Sequence, residues 1–101
     1  MSDSRLADAR IARQQLQDLA ARGFPLTFLG RACAVSPQAL GGIRQGHRPR
    51  IQQSTAQAIG LLYIQLDGTG PEDHSIPPGH AAWTRLIAAR ADWDTSERST
   101  A

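Results

Sequence analysis

Apolar residues recur every three or four positions through most of the chain, and the intervals between these runs are marked by glycine and proline. Leu6, Ala9, Leu16, Leu19 and Ala20, with Arg13 in the same register, predict a first helix from about Ser4 to Arg22. Ser4 is its candidate N-cap, and Gly23 supplies the left-handed residue that ends it. Phe24-Pro25 then opens a second helix that runs to about Cys33. A three-residue hinge, Ala34-Val35-Ser36, separates it from a third, short helix over 37–45. Ser36 can cap that helix, Pro37 takes its first position, and Gly46 stops it. Residues 46–52 read as a basic loop held in part by Pro49. A fourth helix follows from Gln53 or Ser54 to Leu66, with Ala56, Ile59, Leu62, Tyr63 and Leu66 on its buried stripe.

Asp67 to Gly79 is dense in glycine and proline and reads as an irregular linker. A fifth helix, from about His80 to Ala91, carries Trp83, Leu86 and Ile87, with Trp93 beyond it. The polar tail 94–101 reads as disordered. No alternating strand pattern and no internal repeat is visible, so the expected fold is all-α with about five helices. The division is a helix-rich unit over 1–67, a linker over 68–79, the C-terminal helix over 80–93 and the tail.

Composition changes this picture little, but charge distribution changes it more. One cysteine excludes an internal disulfide framework and fits a reducing cytoplasm. No apolar run approaches the ~20 residues of a membrane span, so a soluble, cytoplasmic protein without a membrane partner is expected. Net charge is only +2, yet all eleven basic residues are arginine. No carboxylate occurs between Asp18 and Asp67, an interval that holds Arg22, Arg31, Arg44, Arg48 and Arg50. An acid-free, arginine-bearing middle between acidic ends suggests a polyanion-binding face.

The candidate chemistry lies in that middle. Leu29, Cys33, Val35, Leu40 and Ile43 are spaced so that two crossed helices share one small core. This leaves Gln38, Gly41, Gly42 and Gln45 on the outer face of the third helix, the face that enters the major groove in helix-turn-helix proteins. Gln38, second in the helix, has the chemistry for a bidentate contact with adenine. Two glycines inside a helix cost ~1 kcal/mol each relative to alanine. Either they let the helix sit deep in a groove and Gln38 and Gln45 reach past, or they are tolerated weakness or close packing against the second helix. His47 with Arg44, Arg48 and Arg50 forms a basic group around the end of that helix, suited to phosphate contact. The expected partner is therefore double-stranded DNA, met by Ser36, Pro37, Gln38, Gly41, Gly42, Arg44, Gln45, His47, Arg48 and Arg50.

Residues 4–66 resemble the lambda-repressor/Cro-like helix-turn-helix family, and most of all the small repressors of actinobacterial phages. The resemblance rests on Leu29, Val35, Ser36, Leu40, Ile43 and Gly46 at the family's spacing, with Gly23-Phe24-Pro25 ahead of the second helix and Ser54-Thr55-Ala56 opening the fourth. It implies operator binding, often as a dimer, with base contacts from the positions of Pro37, Gln38, Gly41 and Gly42. It departs from the family at the hinge, where Ala34 stands for the usual glycine, and at Leu26 and Pro25, which replace a glutamine and its Ser/Thr cap.

Other chemistry finds little support. Cys33 falls on an apolar helical face and reads as a core residue. His47, His74 and His80 lack cysteine or carboxylate partners at metal-ligand spacing and read as solvated loop residues. No nucleophile motif or phosphate loop occurs, so no enzyme, catalytic residue, cofactor or metal is expected. Trp83, Leu86 and Ile87 point first to packing of the fifth helix on the domain and next to a homodimer interface, with Arg85 and Arg90 leaving a DNA contact open. The expectation is a transcriptional regulator, a phage or mobile-element repressor. The alternative is an antitoxin-like or adaptor protein acting through its C-terminal helix.

Overall fold

The computed structural model describes residues 5–93. The candidate cap Ser4 and the tail 94–101 lie outside the described residues. Five α-helices and two short strands follow in order: β1 Leu6–Asp8, α1 Arg10–Ala21, α2 Leu26–Cys33, α3 Pro37–Gln45, β2 Arg50–Gln52, α4 Gln53–Gln65 and α5 Pro78–Arg90, with a 3-10 turn at Pro71–His74 before α5. The fold is all-α in substance, with a two-stranded edge added.

That edge corrects the expected start of the first helix. Leu6, Ala7 and Asp8 pair antiparallel with Gln52, Ile51 and Arg50. The Ala9 N–H donates to the Pro49 carbonyl at 3.0 Å and the Gln53 N–H to that of Arg5 at 3.1 Å, extending the pairing at both ends. Helix formation is further deterred at Asp8, whose Oδ1 accepts the Arg10 N–H at 2.8 Å, a local bond that competes with a helical turn. Leu6 therefore lies exposed on a strand instead of on a helical stripe. In β2 the side chains alternate, Ile51 buried between exposed Arg50 and Gln52.

The C-terminal ends of α1, α2, α3 and α5 follow one recipe. At α1 the Phe24 N–H bonds the Leu19 carbonyl and the Gly23 N–H that of Ala20, with Gly23 left-handed at φ 98°. This is a Schellman closure, and it turns Phe24 back into the core beside Leu19. Gly46, φ 86°, closes α3 the same way, the His47 N–H reaching the Gly42 carbonyl. Ala34 and Asp92 do so for α2 and α5 at φ 59° and 64°, without glycine's freedom. Ser36 caps α3 through its hydroxyl, which accepts from the Ala39 N–H at 3.1 Å.

The main core gathers Leu16, Leu19, Phe24, Leu29, Leu40, Ile43 and Ile59, all essentially inaccessible, with Leu62 and Leu66 from the α4 end. Helix α1 packs against α3, α4 and α5. Its contact with α4 is reinforced by Asp18, which accepts from Arg22 Nη2 at 2.8 Å and from the Tyr63 hydroxyl. Arg22 also lies 5.2 Å from the Tyr63 ring centroid. The hydrogen bond to Asp18, with burial, pushes the Tyr63 phenol above its ordinary value.

The expected linker is more structured than its composition implied. Pro71 and Ile76 are buried, and Ile76 joins the main core. His74 is half-buried and packs its ring 5.9 Å from Phe24 and 5.4 Å from Phe28, with Nε2 3.1 Å from Thr69 Oγ1. The solvated loop histidine expected there is a packed one. Helix α5 starts at Pro78, two residues early, because Pro77-Pro78 supplies an extended residue followed by a first-turn proline. It docks through Ala81, Thr84 and Ala88, with Ile87 half-buried, while Trp83 and Leu86 face outward at 62% and 41% exposure. Among the described residues no helix is long and apolar enough to cross a membrane.

Candidate nucleic-acid interface

Two helices and a corner present the candidate surface. Helix α2 ends at Cys33, residues 34–36 turn, and α3 begins at Pro37. The corner is tight enough that a Cβ on Gly30 would meet the Val35 carbonyl oxygen at 2.6 Å. Gly30 is therefore the small residue the corner requires, and Ala34 carries the left-handed turn itself. Cys33 sits half-buried at this junction with Sγ 3.9 Å from the Ala58 carbonyl, and burial raises its thiol above the ordinary value. A half-buried thiol whose thiolate is disfavoured by burial is a poor nucleophile.

Inward, α3 buries Leu40 and Ile43. Outward it exposes Gln38 and Gln45, with Gly41 and Gly42 half-covered between them and Ser36 and Pro37 exposed at its start. The two glycines do different things. A Cβ on Gly41 would touch Leu26 Cδ1 at 3.4 Å, an ordinary contact, so packing against α2 does not demand glycine there. A Cβ on Gly42 would stand 3.1 Å from Arg48 Nε. Gly42 is thus the floor on which the Arg48 side chain lies. His47, Arg48 and Arg50 are all exposed beyond the helix.

Arg44 requires a correction. Only 7% exposed, it points away from the outer face and stacks its guanidinium 5.0 Å from the Trp93 ring centroid. Its Nε is buried with no hydrogen-bond partner among the described residues, and burial lowers its pKa. The Arg44 carbonyl accepts from Gln17 Nε2 at 2.9 Å. This side chain holds α3 to the end of α5, and a phosphate cannot reach it without breaking that contact. Trp93 arrives there because the α5 closure folds it back, its N–H bonding the Ala88 carbonyl at 2.8 Å.

The basic interval also thins once its members are placed. Arg22 is committed to Asp18, Arg44 is buried, and Arg31, Arg48 and Arg50 remain exposed. The balance is restored from a place sequence reasoning passed over. Arg13, assigned to the first helix's core-facing register, lies beside Gly46: a Cβ there would stand 3.1 Å from Arg13 Nη1. Arginine on an otherwise apolar stripe was the available signal. Arg10 reaches the same region but is paired with Asp8, Nε to Oδ2 3.2 Å. The Asp8 carboxyl is held below the usual carboxylate range, first by the Arg10 backbone N–H and then by the charges of Arg10 and Arg50.

The outer face is therefore a run of hydrogen-bonding and cationic groups from Gln38 to Arg50, joined by arginine from α1. Among the described residues no group of three or more histidines, cysteines or carboxylates stands together as metal ligands. Compared with protein families, with curated proteins and with solved structures, the chain matches none.

Proposed function

We propose that this protein is a sequence-specific DNA-binding transcriptional regulator, a repressor of the small phage or mobile-element type, that inserts α3 into the major groove. The lambda-repressor/Cro-like resemblance is part of the same proposal. The observation that carries it is the outer face of α3: Gln38 in the first turn and exposed, Gln45 one face-repeat later, and no side chain between them at Gly41 and Gly42. Helix α3 itself puts no side chain between the glutamines, so it can approach base edges with Arg48 laid along Gly42, and a first-turn glutamine matches the donor–acceptor pair of adenine. Arg48 and Arg50, with Arg31 on α2, flank that face as phosphate contacts. Arg44 is left out of the contact set.

Selection of bound duplexes from random DNA, followed by anisotropy titration, tests the reading. Gln38→Ala should relax one base preference by about 1–3 kcal/mol. Arg48→Gln should weaken all sequences alike and reduce the salt slope by ~1. Absence of duplex binding at roughly 50–100 mM salt, where phosphate contacts are weakly screened, sinks the proposal.

A second reading, an adaptor or antitoxin-like protein or a homodimer, is favoured by one observation: Trp83 and Leu86 stand exposed on α5. Ile87, half-buried against Ala20 and Ala88, contributes less to such a surface. Deleting α5 would uncover the core, so the discriminating variant is Trp83→Ser with Leu86→Ser. Loss of a dimer in sedimentation, or of a stoichiometric protein partner, with the fold intact would support it.

A further inference from the structure

The β1–β2 pairing draws the first turn of α1 and the segment after α3 around a cavity of about 400 Å³, walled by Arg10, Arg13, Arg48 and Arg50 with Asp8 and Gly46. Asp8 is taken up by Arg10, whose backbone N–H and Nε both bond its carboxylate. Among the described residues Arg13, Arg48 and Arg50 have no carboxylate within salt-bridge distance. These three guanidiniums around one cavity repel each other, and the Asp8 carboxylate, which stands opposite Arg50 in the strand pairing but is bonded to Arg10, offsets that cost only in part. Two of them are seated by missing side chains: Gly46 leaves room for Arg13 Nη1 and Gly42 for Arg48 Nε, each 3.1 Å from where a Cβ would stand. Arginine forks arranged in this way match the oxygens of a phosphate. The volume lies in the range of small-ligand sites, roughly 300–1,000 Å³, and exceeds what one orthophosphate fills.

We infer that this cavity is a binding site for a phosphate or pyrophosphate group, held by Arg13, Arg48 and Arg50, with Asp8 positioning the α1 end through Arg10. The phosphate comes either from the backbone of bound DNA, in which case the inference rests on the DNA-binding reading, or from a free phosphorylated small molecule.

Pyrophosphate is the probe, titrated into the full chain at constant ionic strength and followed by backbone amide shifts. Saturable binding at about 1 mM or tighter is expected, with shifts concentrated in residues 8–13 and 46–50. Arg13→Gln and, separately, the exposed Arg50→Gln should each weaken it roughly tenfold or more, the folded spectrum elsewhere being retained. Adding an unlabelled duplex then separates the sources. Release of pyrophosphate assigns the site to the DNA backbone, and simultaneous binding assigns it to a free ligand. Shifts that never saturate, shifts spread outside those segments, or unchanged affinity in both variants overturn the inference. Pyrophosphate binding without duplex binding overturns the DNA reading alone, and duplex binding without pyrophosphate binding overturns this one alone.

Discussion

Helices α3 and α5 both pack on α1, and they do so by opposite means. α3 contributes volume: Leu40 and Ile43 enter the main core, and its outer middle is glycine with Arg48 laid over Gly42. α5 contributes smallness: Ala81, Thr84 and Ala88 face inward, Ala88 meets Ala20 of α1, and its Trp83 and Leu86 are left in solvent. Thr84 is accommodated by donating its hydroxyl to the His80 carbonyl at 2.8 Å. Hydrophobicity alone ranks Trp83 first for burial in α5. Interhelical distance decides instead, because two helices meeting through alanine leave no room for an indole between them.

The contrast yields variants whose effects should fall in a definite order. Leu40→Ala leaves a cavity in the main core and should cost about 3 kcal/mol. That is a fall of well over 10 °C in the melting midpoint at ~4–8 °C per kcal/mol, read by calorimetry. Ala88→Leu should cost about 1–3 kcal/mol by overpacking the alanine contact. A stabilising effect there would mean that α5 has slack, and the comparison would break.

Gly41→Ala should raise stability by up to ~1 kcal/mol, since a Cβ there meets only Leu26 at ordinary distance. Gly42→Ala should gain less in denaturant titration, because its Cβ must shift Arg48. Only the second should also weaken pyrophosphate binding. Equal loss from both would tie the glycines to helix flexibility instead of to the arginine seat. Ala34→Gly should stabilise by about 0.5 kcal/mol, the relief of a left-handed alanine being partly offset by a freer unfolded chain. Trp83→Ser should change monomer stability by less than about 0.5 kcal/mol. A larger loss in chemical denaturation would show that the exposed indole is covered in solution, most simply by association.

What sequence reading reached was local. The corner and both ends of α3 were legible, since Ser36, Pro37 and Gly46 act on backbone groups within a few residues of themselves. The stripe of α4 was legible too, because Ile59, Leu62 and Leu66 share one helical face. Where several long-range partners competed, the pattern misled. Leu6 and Ala9 fit a helix equally well until Gln52 and Pro49 offered strand pairing from forty or more residues away. His74 read as a loop residue because nothing near it in sequence announces Phe24 and Phe28.

The arginines show the division most clearly. By itself the sequence determined that the centre of this chain would be cationic and that α3 would carry no side chain of its own in its outer middle. Charge and side-chain size are properties of residues and do not depend on the fold. Which guanidinium would face outward was decided only by tertiary structure. Arg44 was drawn under Trp93 by the closure of α5, and Arg13 was brought beside Gly46 by the packing of α1 on α3. A long, flexible side chain takes its environment from whatever packs beside it, and those neighbours lie 33 to 49 positions away in the chain.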